Sequence, residues 1–257
     1  MTSTGLRALL LDLDDTLIVN PMNTFIPAYF KALEAFVAET VPPDRFITEL
    51  LAATRAMDAN DGSGPTNQEV FEAAFYPAFE VPRTTLEPLL ERFYREAFPS
   101  LRGLVSPRPA AARIVRWARE RGLQVVIATN PLFPRTAIEQ RMEWGCIGVD
   151  LFDFDLVTAY ENCRATKSRP AYYQEILEVL GRQPGECLMV GDNWEWDIAN
   201  AARAGIKGFW IAASGTDPGS SDVEAVGSGS LDAFLRAAES GDLERSIERS
   251  RTSRAAR

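Results

Sequence analysis

Asp12-Leu13-Asp14-Asp15-Thr16 places three carboxylates and a hydroxyl within one short stretch, directly after the apolar run at residues 6–11. Along an extended chain successive side chains point to opposite faces, so Asp12 and Asp14 turn to the same side. Two carboxylates that close repel unless a cation or a shared proton lies between them. The pair therefore asks for a metal ion or for a reaction that moves a proton. A calcium loop of the EF-hand type is excluded, because it needs Gly at its sixth position and Glu at its twelfth, where this chain has Leu17 and Asn23. Three more polar groups occupy comparable places. Thr129-Asn130 closes the apolar run at 123–128, Lys167 stands just ahead of a helix start at Pro170, and Gly191-Asp192-Asn193-Trp194-Glu195-Trp196-Asp197 closes the run at 187–190. Carboxylates, lysine and hydroxyls are the chemistry on offer, since the chain has no histidine. That excludes imidazole triads, His-ligated zinc and imidazole pH switches.

The elements that must position these groups follow from the hydrophobic pattern. Residues 6–11, 123–128, 154–157 and 187–190 are short apolar runs ending in polar residues, the mark of buried parallel strands, and 208–211 adds a fifth. Helical patterns at 109–121, 135–144, 171–180 and 195–204 separate the later runs. The alternation predicts an α/β fold with a doubly wound, Rossmann-like parallel sheet and right-handed crossovers. Such a sheet carries its ligand crevice at the carboxyl ends of its strands, and all four polar groups fall at that edge.

Residues 20–104 break the rhythm and read as helix throughout. Thr66-x-x-Glu69 and Thr84-x-x-Glu87 are capping-box sequences, and Phe71, Phe75 and Phe79 recur at the spacing of one helix face. Twelve of the twenty Phe and Tyr residues lie in this segment, which reads as the packed core of an inserted small helical domain, with an aromatic ligand site as the alternative. Asn60-Asp61-Gly62-Ser63-Gly64-Pro65 divides the insert and reads as an inter-helix loop, with a turn facing the cleft as the alternative. The expected division is a catalytic core of residues 1–19 and 105–240, a helical cap over 20–104, and a flexible Arg/Ser-rich tail over 241–257.

Composition narrows the function classes. At 257 residues and 46% hydrophobic content the chain can bury a sizeable core, while 36 acidic against 27 basic residues, a net charge of −9, speaks against a nucleic-acid partner. No run reaches membrane-spanning length and the N-terminus does not read as a signal peptide. Cys146, Cys163 and Cys187 form no CxxC pair and read as reduced thiols, which favours the cytoplasm. GxGxxG, GxxxxGK[ST] and GxSxG are all absent.

Taken in order, the four polar groups resemble the motifs of the haloacid dehalogenase-like (HAD) superfamily of hydrolases. Asp12-x-Asp14-x-Thr16 looks like its first motif, Thr129-Asn130 its second, Lys167 its third, and Gly191-Asp192 with Asp197 its GDxxxxD fourth. The likeness covers about residues 6–211, and the helical insert sits where that family carries a small helical cap of type C1. The resemblance implies a Mg²⁺-dependent phosphatase, a phosphoric monoester hydrolase acting on a small phosphorylated metabolite, as a monomer or homodimer. On that reading Asp12 is the nucleophile that becomes an aspartyl-phosphate and Asp14 is the acid for the leaving alcohol and then the base for water. Asp12, the backbone carbonyl of Asp14 and Asp192 hold Mg²⁺, with Asp197 supporting or completing the site, and Thr129, Asn130 and Lys167 bind the phosphoryl group. Asp14 argues for phosphate esters over halides, because an alkoxide leaving group needs a proton and a halide does not. A phosphomutase or phosphotransferase on the same core is one alternative, and a non-catalytic phosphate-binding regulatory module is another. Two departures stand out. Ser168-Arg169 separates Lys167 from Pro170, where many relatives have proline directly after the lysine, which leaves Arg164 and Arg169 as alternative cations. Trp194 and Trp196 are bulky for a metal loop and either pack at the loop-to-helix junction or line the entrance.

Overall fold

The computed structural model describes residues 5–213, 215–218 and 222–255. Leu9, Leu10 and Leu11 leave no polar face, so β1 (Ala8–Leu11) is buried on both sides. After the Asp12 turn and a two-residue strand β2 (Ile18–Val19), the chain enters helices α1 (Met22–Val37), α2 (Pro43–Ala59), α3 (Asn67–Phe75) and α4 (Arg83–Arg92). A π-helical turn, Phe93–Ala97, and a 3₁₀ segment, Phe98–Leu104, complete this insert. The chain returns through β3 (Ser106–Pro107), antiparallel to β2 with Ile18 opposite Pro107 and Val19 opposite Ser106. The helical insert thus hangs from a short two-stranded ribbon at the edge of the site.

The remainder alternates helix and strand: α5 (Pro109–Glu120), β4 (Gln124–Ile127), α6 (Arg135–Trp144), β5 (Leu156–Val157), α7 (Pro170–Leu180) and β6 (Cys187–Gly191). A π-helical stretch, Trp194–Ala199, runs into α8 (Asn200–Arg203), followed by β7 (Lys207–Ile211), β8 (Gly227–Gly229), α9 (Leu231–Ser240) and α10 (Asp242–Ala255). Six of these strands form one parallel sheet in the order β5-β4-β1-β6-β7-β8. β1 is where the winding reverses, with β4 on one side and β6 on the other. Leu11 is level with both Ile127 and Val190, so the three chains leave the sheet side by side. Alternate side chains feed two apolar layers: Leu9, Leu11, Val125 and Val190 join one, Ala8, Leu10, Val126 and Met189 the other.

The five expected strands and the doubly wound parallel α/β topology are all present. β8 was not foreseen, because Gly-Ser-Gly carries no apolar signal. Glycine is needed there: a Cβ at Gly227 would lie 2.9 Å from the Phe209 ring on the neighbouring strand. In the insert, Phe25, Phe46, Phe75, Phe93 and Phe98 are fully buried and meet edge to face, as in Phe46 on Phe75 at 5.2 Å. Thr66 and Glu69 form the expected capping box. The second expected box does not form. α4 starts directly after Pro82, which puts Thr84 inside the first turn, and the Glu87 carboxylate is taken by Arg83 at 2.9 Å.

The segment expected to be a flexible tail is helical over Asp242–Ala255. Leu243 and Ile247, one turn apart, are buried against the core, which supplies the docking that the Arg/Ser composition conceals. Residues 256–257 lie outside the described residues. Leu243→Ala removes a buried side chain and should cost about 2–4 kcal/mol, lowering Tm by ~5–10 °C. A thermal melt superimposable on that of the wild type would mean that α10 is not docked as described.

Candidate active site

The turn after β1 brings the sequence-predicted residues into one cleft. Asp12 leaves the sheet with its amide donating to the Val190 carbonyl at 2.9 Å, tying the nucleophile candidate to the end of β6. Lys167 Nζ donates to Asp12 Oδ1 at 2.5 Å and to Asp197 Oδ1 at 2.6 Å, with all three residues buried. The lysine's backbone is held at both faces. Its amide donates to the Asn130 side-chain oxygen at 3.1 Å and its carbonyl accepts from Asn200 Nδ2 at 2.8 Å. Asp197 Oδ2 accepts from the Asn193 amide at 3.0 Å, and its carboxylate lies where a Cβ on Gly191 would be, so only glycine fits at 191. Asp192 Oδ1 accepts from the Thr16 hydroxyl at 3.1 Å. Thr129 is buried at the end of β4, with its carbonyl accepting from the hydroxyls of Thr158 and Tyr172 at 2.8 and 2.9 Å.

Asp14 is tied differently. Its Oδ2 accepts from Arg141 Nη1 at 2.6 Å and its Oδ1 from Asn20 Nδ2 at 2.7 Å. Both side-chain oxygens are engaged on the wall away from the lysine, which leaves only its backbone carbonyl for a cation. Arg141 is 1% exposed, lies 4.8 Å from the Phe133 ring centroid, and has no partner for Nη2. Sequence reasoning missed Arg141, Asn20 and Asn200. Arg141 looks like an ordinary cation on an amphipathic helix, and only its burial marks it.

Burial dominates the electrostatics. Asp192 is pushed up to about 7 from an ordinary value of 3.8, by burial first and by the Asp12 charge second, against the pull of Thr16 and Lys167. Burial likewise raises Asp12 and Asp197, with Lys167 pulling both back. Burial works against the Lys167 ammonium, but Asp12 and Asp197 outweigh it and raise the lysine. Asp12, Asp192 and Asp197 each offer an oxygen within 4.8 Å of the others. Carboxylates crowded and desolvated in this way fit a hard divalent cation, which takes oxygen ligands and removes their mutual repulsion. Asp197 already serves Lys167 and the Asn193 amide, which makes Asp12 and Asp192 the freer donors.

The cleft above these groups encloses about 380 Å³, walled by the acidic and phosphate-site candidates together with Met22, Ile26, Leu132, Phe133 and Trp196. Of the alternative cations, Arg169 is turned to the end of α2, where it donates to the Asp58 and Ala59 carbonyls at 3.4 and 3.3 Å. Arg164 is exposed, and Lys167 is the cation beside Asp12. The two tryptophans divide the expected roles: Trp194 packs edge to face on Trp210 at 5.0 Å, and Trp196, 42% exposed, lines the cleft.

A parallel sheet with a carboxylate at its switch point, a buried lysine from a neighbouring loop and further carboxylates after β6 defines a class of α/β hydrolases built on an aspartate. A family model described as haloacid dehalogenase-like hydrolase matches residues 6–205, and the chain belongs to that family. It is 29% identical over 150 residues to a phosphoserine phosphatase of Thermus thermophilus, covering 58% of this chain and 55% of the relative, so the match spans about half of that protein's length. It is 26% identical over 203 residues to the pyrophosphatase PpaX of Bacillus cereus, covering 79% of this chain and 81% of that one. Among solved structures, a HAD phosphatase from Thermococcus onnurineus superposes with a TM-score of 0.55 at 21% identity, over 90% of this chain and 97% of the other. The L-2-haloacid dehalogenase of Xanthobacter autotrophicus gives 0.53 at 18%, over 91% and 99%. These superpositions show the shared fold. Among the described residues no helix is long and apolar enough to cross a membrane.

Lys167→Met strands two buried carboxylates and should destabilise by about 3–5 kcal/mol, and adding Asp197→Asn should return at least ~1 kcal/mol of the loss. Denaturant titrations of the two variants read this, and strictly additive losses would contradict the clamp. A second expectation concerns pH. Because Asp192 holds its proton to about 7 when folded and to only 3.8 as a free side chain, the contribution to stability is present below 3.8 and lost as pH rises through about 7. A divalent cation opposes that loss. In chelator the Tm should fall across this window, and added Mg²⁺ should restore it by ~3 °C or more at the upper end and by little at the lower. A Mg²⁺-induced shift that shrinks as pH rises would count against the carboxylate site.

Proposed function

We propose that this protein is a Mg²⁺-dependent phosphatase that cleaves a small phosphate monoester through an aspartyl-phosphate on Asp12. The observation that carries the reading is the Asp12–Lys167–Asp197 clamp at the switch point of the sheet. An Asp12 carboxylate oxygen attacks phosphorus while the ester P–O bond breaks, and the leaving alkoxide takes its proton from Asp14. Asp14 then removes a proton from water as the water oxygen attacks the phosphorus of the aspartyl-phosphate, which releases inorganic phosphate and restores Asp12. Lys167, Thr129 and Asn130 bind the phosphoryl oxygens, and Lys167 offsets the charge that gathers beside Asp12. Asp12, Asp192 and the Asp14 carbonyl, with Asp197 in support, would hold a divalent cation, which would supply neutralisation of negative charge.

Arg141 and Asn20 give Asp14 a fixed resting place, so donating a proton requires one of its oxygens to leave its partner when substrate arrives. The helical insert over residues 20–104 acts as a cap that closes the cleft and excludes water during transfer. Its placement in the cytoplasm belongs to the same reading and rests on the three free thiols. Phosphatase-named relatives support phosphate as the transferred group, and Asp14 supports it over halide.

The wild-type protein should release inorganic phosphate from acetyl phosphate in Mg²⁺ and not in chelator. Asp12→Asn should lower kcat by at least ~1,000-fold with its melting curve retained. Undiminished turnover in that variant would overturn the nucleophile assignment, and substrate consumption without matching phosphate release would favour transfer to a second hydroxyl.

A further inference from the structure

Beside the catalytic cleft lies a larger chamber of about 910 Å³ between the helices of the insert and the loop after β4. Native interiors are close-packed, so a space of this size is not a packing defect, and it matches the upper range of small-molecule pockets. Ile26, Leu132 and Phe133 line both spaces. These three side chains form the common wall of the two spaces, past which a group esterified to a phosphate at Asp12 would enter the chamber.

The walls specify what that group is. Tyr29, Phe71, Tyr94 and Tyr160 line it with aromatic rings, Tyr76 and Phe133 line it while each is stacked by a guanidinium, Arg83 at 4.9 Å and Arg141 at 4.8 Å, and Leu51, 38% exposed, adds an uncovered apolar side chain. The polar groups among them largely satisfy each other. Tyr29 and Tyr94 share a hydrogen bond of 2.9 Å, Gln68 Nε2 donates to Glu72 at 3.0 Å, and Gln140 Nε2 donates to the Tyr94 carbonyl at 2.8 Å. The charge is one-sided: Glu72, Glu87, Glu91, Glu143 and Glu161 line the chamber against Arg95 alone, and Arg95 leans on Glu96 at 3.1 Å. Outside the lining, Arg83 pairs with Glu72 and Glu87, Arg102 lies 4.0 Å from Glu143 and the Arg135 amide donates to Glu161, while Glu91 has no ion pair among the described residues. Burial, then Glu87 and Glu72, push the Tyr76 hydroxyl up to about 12, which is the same negative field felt from within. Aromatic faces under a negative field attract a cation and repel a second anion.

Resting on the phosphatase reading, we infer that the substrate is the phosphate monoester of a bulky, mainly apolar or aromatic alcohol carrying an amine, and that this chamber binds that alcohol. The aromatic residues of the insert thus divide. Phe25, Phe46, Phe75, Phe93 and Phe98 make its core, and Tyr29, Phe30, Phe71, Tyr76 and Tyr94 wall the chamber.

Three aryl esters of matched reactivity test this: 4-(2-aminoethyl)phenyl phosphate, phenyl phosphate and 4-(2-carboxyethyl)phenyl phosphate, with acetyl phosphate as a substrate too small to enter the chamber. The expected order of kcat/KM is amine over phenyl over carboxylate, with at least ~10-fold between the ends. Leu51→Trp, which fills the chamber, should lower the ratio of amine ester to acetyl phosphate by ~10-fold. Glu91→Gln, at an exposed position, should shrink the preference for amine over carboxylate by ~3-fold. Hydrolysis of acetyl phosphate with the carboxylate ester matching or exceeding the amine ester overturns the chamber assignment alone. No hydrolysis of any of the three aryl esters or of acetyl phosphate overturns both readings.

Discussion

The buried ammonium of Lys167 holds the rest of the site in place. Three carboxylates converge on a desolvated point, and without a cation that point would push itself apart. Lys167 reaches Asp12 at the end of β1 and Asp197 beyond β6, while its own backbone is pinned by Asn130 after β4 and by Asn200 on α8. One residue thereby joins the ends of three central strands to the loop before α7. The sheet makes this possible by bringing β4, β1 and β6 level. The two tyrosines that follow, Tyr172 and Tyr173, brace the same junction by donating to the carbonyls of Thr129 and Trp196.

Much of this was legible in the chain because the two kinds of signal coincide. Continuous apolar runs such as Leu9-Leu10-Leu11 mark buried parallel strands, and the aspartates, Thr129 and Asn130 that end them mark the ligand edge. What was not legible lacks either signal. β8 is Gly-Ser-Gly and is held by its neighbour, not by its composition. Arg141 and Asn200 read as ordinary polar residues on helices, because nothing local tells a buried charge from a solvated one. The docking of α10 rests on Leu243 and Ile247, helped by Lys207 donating to the Ile247 carbonyl at 2.9 Å, in a run otherwise rich in arginine and serine. Twelve aromatic residues in one segment look the same in sequence whether they meet each other or surround a space.

The acidity of the chain also divides by place. Part of the net charge of −9 belongs to the cluster around Lys167, where burial makes it a demand for cations. Another part lines the chamber under the insert, where it sets the sign of the group that fits there. The chain has no histidine, and the carboxylates of the site have fixed partners: Asp14 is held by Arg141 and Asn20, and Asp192 by Thr16.

The end of α2 is stitched to the loop that carries the lysine. Asp58 accepts from the hydroxyls of Thr166 and Ser168 at 2.6 and 3.0 Å, Arg169 reaches back to the Asp58 and Ala59 carbonyls, and Asp61 forms a backbone bridge to Ala165. The insert is moored at the β2–β3 ribbon, at this seam, at the start of α3, where the Asn67 and Gln68 amides donate to the Cys163 and Tyr160 carbonyls, and at Tyr94, whose carbonyl accepts from Gln140; the seam is adjacent in the chain to the lysine paired with Asp12. Any swing of α2 loads the peptide that carries the lysine, so that the insert and the ammonium paired with Asp12 share one mechanical linkage.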